Sequence, residues 1–162
     1  MHYGWLKNCN NYLALIGKED SLLDEKVGYN GEKIVLLAQE LGLNTCWVAG
    51  TYKKSAVKAK IDKDERLVCV IAIGYGVTNG KPRKSKSIDE VTISKEYPLW
   101  YKKGIEFALL APTAINQQKF KFEYMGDDDV KALSGKGPMT KIDLGIVKYH
   151  FELGANKKIN WN

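Results

Sequence analysis

Apolar and polar positions change period along the chain. Residues 11–16 (NYLALI) form a short apolar run closed by Gly17, which predicts a buried strand. The period then lengthens over 24–41. There Val27, Gly31, Ile34, Val35, Ala38 and Leu41 fall on one helical face, and Gly42 supplies a stop. NTCWVAG (44–50) predicts a short strand running into Gly50, residues 55–60 one or two basic helical turns, and 66–73 a Val- and Ile-rich strand. SIDE (87–90) has capping-box spacing, but the β-branched VTI beyond it limits the helix to one turn. Pro98 opens a helix with Trp100, Gly104, Phe107, Ala108 and Ala111 aligned, and Pro112 stops it after Ala111. Residues 119–124 alternate as a half-exposed strand, and Thr140 with Asp143 marks another helix start. Strands and helices in this order predict an α+β sandwich.

The two long helical patterns echo each other. Aligning Leu41-Gly42 with Leu153-Gly154 superposes Ile34-Val35 on Ile146-Val147 and Glu40 on Glu152. The expectation is one domain over residues 1–162, built of two related halves at about 1–95 and 96–162. Two amphipathic helices that merely look alike would give the same echo.

Composition narrows the function classes. A chain of 162 residues that is 44% hydrophobic and 27% charged can bury a core and is not disordered. LVCVIAIGYG (67–76) is too short for a membrane span, and MHYGWLKNCNNY lacks the layout of a signal peptide. Cys9, Cys46 and Cys69 cannot all pair and have no metal-type spacing, so reduced thiols and a cytoplasmic address are expected. The net charge of +6 suits nucleic acid or one phosphorylated cofactor. Its densest basic cluster, GKPRKSKS (80–87), is a single loop without interleaved aromatics, which disfavours nucleic acid.

Three stretches could carry chemistry. In KPRKSKS, Lys84, Ser85 and Lys86 precede a helical turn and could hold a phosphate, or form a solvated basic loop. In TCWVAG, Gly50 lets backbone approach a flat ring and offers an N–H to developing charge; a plain connection with Cys46 and Trp47 buried is the alternative. In APTAINQQKF (111–120), Pro112 and Ala114 give flat apolar contacts, and Asn116 and Gln118 can each donate and accept; a cap and turn would look the same. His150 sits among helix-face residues and reads as structural, while GDDDV (126–130) reads as a solvated turn. No Ser–His–acid set, paired-carboxylate site, metal spacing or nucleotide glycine loop is present. Hydride transfer through a cofactor fits, because it needs positioning more than acid–base side chains.

Together the three stretches resemble the nitroreductase family of FMN-dependent oxidoreductases. The family's GLGTCW-type segment is matched by Gly42-Leu43-Asn44-Thr45-Cys46-Trp47, continuing Val48-Ala49-Gly50. Its basic-loop segment is matched by Lys84-Ser85-Lys86-Ser87-Ile88-Asp89-Glu90, and its A-P-S-x-x-N-x-Q-P-W loop by 111–120. The order, with the last motif after the basic loop, resembles a branch in which two related halves are fused. The resemblance implies an α/β sandwich with an antiparallel central sheet flanked by helices. It also implies FMN contacts from Trp47, Ala49, Gly50, Lys84, Lys86, Pro112, Thr113, Ala114, Asn116 and Gln118, with no catalytic side chain and no metal. NAD(P)H, a nitroaromatic, quinone or similar acceptor, and a homodimer are the implied partners. The family's N-terminal R-x-S-x-R segment is not in the sequence, so an N-terminal part is expected to be missing. That departure keeps open a non-catalytic flavin-binding or interaction module, and a basic nucleic-acid binder ranks behind both.

Overall fold

A computed structural model describes residues 9–162; the opening MHYGWLKN, with His2 and the signal-peptide reading, lies outside the described residues. Residues 11–74 build one sheet. Strands β1 (Asn11–Lys18) and β2 (Asn44–Val48) each pair antiparallel with β3 (Glu65–Gly74) between them, giving the order β1-β3-β2. The rich Val and Ile content of β3 follows from this central place, since both faces are covered; Cys69, Val70 and Ile71 are fully buried. Helix α1 (Leu23–Glu40) connects β1 to β2.

A one-turn helix, α2 (Ile88–Val91), follows the basic loop, and the Glu90 carboxylate accepts the Ser87 N–H at 2.8 Å as the SIDE spacing predicts. Helix α3 (Leu99–Ala108) leads through a turn to β4 (Phe120–Gly126), β5 (Asp129–Ser134), helix α4 (Thr140–Ala155) and a short β6 (Asn160–Trp161). The second sheet has the order β4-β5-β6, antiparallel between β4 and β5 and parallel between β5 and β6. The acidic GDDDV is the hairpin turn between β4 and β5, and Asp128 there pairs with Lys157.

Helix α4 is the hub. It crosses α1 where a Cβ on Gly28 would lie 2.0 Å from the Ile142 carbonyl oxygen and one on Gly145 would lie 1.9 Å from that of Glu25. The contact is reciprocal: each glycine meets the carbonyl three residues before the other. On α3, Gly104 lies directly under the Phe151 ring, and Gly154 of α4 meets Lys103. Around Phe151 the rings of Trp100, Tyr101, Phe122 and Trp161 pack with centroid separations of 4.8–6.4 Å. The helices that echo each other in sequence are thus in contact, in a register that matches Gly28 with Gly145 and not Leu41 with Leu153.

Several expectations are corrected. The α1 stripe is rotated: Val27, Gly31 and Ala38 are buried, joined by Gly28 and Glu32, whereas Ile34, Leu37 and Leu41 are 39%, 53% and 66% exposed. The glycine contact with α4 turns the Gly28–Glu32 side inward. In α3 the buried side is Tyr101, Gly104, Ile105 and Ala108, so Phe107 faces outward. That helix stops at Ala108, with 109–111 as a turn. The basic stretch at 55–60 holds only a 3₁₀ turn, Lys54–Ala56, because no apolar face there pays for a longer helix. Strands β5 and β6 were not signalled by their sequences. The Cys46 side chain is exposed, and only Trp47 of that pair is partly buried.

Candidate functional site

A cavity of about 360 Å³ opens between the end of the first sheet and the start of α4. One wall is the end of β2 and its continuation, Trp47 to Thr51, with Cys69 of β3 beside it. The facing wall is the loop from Pro112 to Ile115. Pro138 and Met139, just before α4, and Ile142, Asp143 and Ile146 on it close the cavity. Six residues singled out from sequence (Trp47, Ala49, Gly50, Pro112, Thr113 and Ala114) therefore share one cavity, although more than 60 positions separate the two stretches.

The β2 wall is stiff. The Trp47 ring lies on Gly31 of α1, where a Cβ would come within 2.4 Å of it. Its indole N–H donates to Glu32 Oε2 at 3.1 Å, and Glu32 Oε1 lies 2.8 Å from His150 Nε2. Glu32 and His150 are both buried, so a polar pair inside the protein fixes the indole. At the lip, a Cβ on Gly50 would meet no protein atom within 4 Å. That open space, with backbone and no side chain at the edge, fits the close approach of a flat ring.

The facing wall is strained. Ile115, Asn116 and Gln118 all have left-handed backbone, at φ 49°, 56° and 47°. For a β-branched residue such as Ile115 this costs about 1–2 kcal/mol. Ties from outside hold the turn. Asp143 accepts the Ala114 N–H at 2.9 Å and the Gln117 amide at 2.8 Å. Sequence marked Asp143 only as part of a helix start; its partners lie 29 and 26 residues away, beyond any local signal.

Lys84, Lys86, Asn116 and Gln118 stand outside the cavity lining and bind one another. Asn116 and Gln118 donate their side-chain amides to the Lys84 carbonyl at 2.9 and 3.0 Å. Lys86 donates its backbone N–H to Gln118 Oε1 at 2.9 Å and its ammonium to the Gln118 carbonyl at 2.8 Å.

Burial raises the Asp143 carboxyl above the usual carboxylate range, against the lowering effect of the Ala114 and Gln117 bonds. A folded-state pKa above the unfolded one favours folding at low pH, and that contribution is lost as pH rises through the folded value. The non-titrating Asp143→Asn should therefore gain stability relative to wild type as pH climbs from about 3 to about 7. Urea unfolding across that range measures it, and a constant difference would refute it. Burial also pushes the Cys69 thiol up to about 12, so this cavity residue is no nucleophile at neutral pH. Among the described residues no group of three His, Cys, Asp or Glu side chains could hold a metal ion, and no helix is long and apolar enough to cross a membrane.

The sequence model of a family described as "putative TM nitroreductase" matches residues 1–155. The chain belongs to the nitroreductase family. A crystal structure described as a putative nitroreductase from Thermotoga maritima superposes with a TM-score of 0.63 at 28% identity. The match covers 85% of this chain and 57% of the other, so this nitroreductase chain spans little more than half of that relative. No curated protein matches the chain. The mixed α+β architecture with an antiparallel sheet, inferred from the three motifs, is the one found.

Proposed function

We propose that the chain is a cytoplasmic FMN-dependent NAD(P)H oxidoreductase that reduces nitroaromatic, quinone or similar acceptors by ping-pong hydride transfer. The observation that carries this reading is the meeting of 47–51 and 112–115 across one cavity, with Gly50 leaving its lip free of side chain. FMN, if bound between these walls, would supply two-electron redox chemistry. The protein supplies a slot. Pro112 and Ala114 form a low apolar wall, the Ala49–Gly50 backbone forms the opposite edge, and Ile142 and Ile146 keep water from the inner end. No side chain need act as a general base, consistent with a lining whose one carboxylic acid, Asp143, is occupied by the loop. A homodimer belongs to the same proposal; exposed Ile34, Leu37 and Leu41 on α1 offer it apolar surface.

Purified protein mixed with FMN should show the absorption of a bound flavin, and NADH or NADPH should bleach it. Gly50→Pro, which removes the N–H at the lip and fixes φ, should abolish uptake while the far-ultraviolet circular dichroism is retained. Protein that stays colourless in excess FMN would sink the proposal. The second reading is a flavin-binding module without turnover. Bound FMN that neither nicotinamide bleaches would select it.

A further inference from the structure

Left-handed backbone is used selectively along the chain. Six non-glycine residues among the described ones adopt it: Ile115, Asn116, Gln118, Asp127, Met139 and Asn156. Four of them are polar, and the short side chains of Asn and Asp tolerate this region by bonding to nearby backbone. Only Ile115 and Met139 are apolar, at φ 49° and 57°, and both line the same cavity. Neither serves the core: Ile115 is 87% exposed and Met139 40%, and both stand outside the buried cluster. Asn or Gly would fit the backbone better at each position, and a polar residue would suit the exposure. Two large apolar side chains thus stand, against local preference, at the open side of one cavity. Conflicts of this kind collect where a ligand is held.

The two residues are held as a unit. The Gln117 amide donates to the Pro138 carbonyl at 2.7 Å and to Asp143 Oδ2 at 2.8 Å, and Asp143 Oδ1 accepts the Ala114 N–H at 2.9 Å. These bonds tie the chain on either side of Ile115 to the segment that carries Met139 into α4. We infer that Ile115 and Met139 form an apolar clasp on the exposed part of a planar ring seated between the Gly50 lip and the Pro112–Ala114 wall. The inference rests on the flavin reading above, in which that ring is the flavin's, and adds two residues to those that recognise it. Covering both side chains with a ring removes apolar surface from water, and a backbone already fixed leaves little freedom to lose on binding.

Ile115→Asn removes the apolar side chain and the strain together, so it separates a clasp from an accident of the surface. Its urea midpoint should lie above that of wild type, because Asn accepts left-handed backbone. Its affinity for FMN, read by quenching of flavin fluorescence, should nevertheless fall by about 5-fold or more, the scale for losing a half-covered Ile side chain. Met139→Asn should weaken FMN by a similar factor, and Ile115→Leu, apolar again, should bind as wild type does. Lumiflavin, the ring system without ribityl or phosphate, should lose the same factor as FMN. Unchanged affinity in either Asn variant, a Leu variant as weak as the Asn one, or a loss confined to FMN overturns the clasp. So does an Ile115→Asn midpoint below wild type, since no strain is then borne at that position. If wild-type protein binds neither FMN nor lumiflavin, the flavin reading fails by itself. The clasp is then decided by 1,4-naphthoquinone, a planar uncharged probe followed by quenching of tryptophan fluorescence. Weaker binding in both Asn variants sustains it; equal binding in either, or none by wild type, refutes it.

Discussion

Gly145→Ala should lower the unfolding free energy by about 3 kcal/mol, the upper end for overpacking a close contact. The added methyl would stand 1.9 Å from the Glu25 carbonyl oxygen and 2.6 Å from the Tyr29 nitrogen, both backbone atoms of α1. No flexible side chain can move aside, so the helices must separate, and packed interiors transmit such a shift. Gly28→Ala drives a methyl into the Ile142 carbonyl from the other side and should cost a similar amount. The double variant should cost less than the sum, since one displacement relieves both clashes. Gly74→Ala, whose methyl would meet nothing within 4 Å, is the control and should stay within about 0.5 kcal/mol of wild type. Urea unfolding measures all four. A Gly145→Ala midpoint equal to that of the control would show that the crossing is not a close contact.

The second large effect is expected at Glu32. Its two oxygens serve the Trp47 indole N–H and the His150 ring, and the residue is 1% exposed. Glu32→Ala leaves the buried His150 ring and the partly buried Trp47 indole without an acceptor, at about 1–3 kcal/mol each, for a total of about 2–6 kcal/mol. Glu32→Gln keeps an oxygen and an amide at the same place and should cost far less. Since Trp47 also lines the cavity, the Ala variant should alter tryptophan fluorescence in the folded state as well as the unfolding midpoint. Equal midpoints for the Ala and Gln variants would contradict this account.

Motifs and buried runs were readable from sequence because they are local. Each of β1, β3 and β4 is an apolar or alternating stretch within about two residues of its expected ends, and Gly42 marks a stop that needs no tertiary knowledge, whereas α3 ends at Ala108, before the stop that Pro112 predicts. The three candidate segments were legible as residue types suited to a ring and a phosphate. The resemblance implied that 47–50 and 112–114 would meet, as they do; the engagement of 84–86 with that wall was not legible. Asn116 and Gln118 have the donors and acceptors that a ring edge would want, and the chain's own Lys84 carbonyl wants the same donors. Sequence cannot choose between those partners, because the choice depends on which loop folds beside them. The rotation of α1 has a similar cause. Ile34 and Leu37 look more like core than Glu32, but Glu32 has His150 as a partner 118 residues away. Strands β5 and β6 were silent because β6 is two residues long and β5 carries polar residues on its exposed side.

The late position of α4 has a consequence for the order in which the protein comes into being. The strands of the first sheet lie within residues 11–74 and pair only with one another, so they can close on themselves during synthesis before α4 emerges. Until residue 140 and beyond is synthesised, the Gly28 side of α1 lacks its cover and Glu32 lacks His150. The nascent chain thus carries a naked groove and a carboxylate free to stay in water, which delays commitment of the Trp47 face. A ribosome stalled before α4 would hold the Trp47 and Pro112 walls of the cavity without the α4 residues that close it.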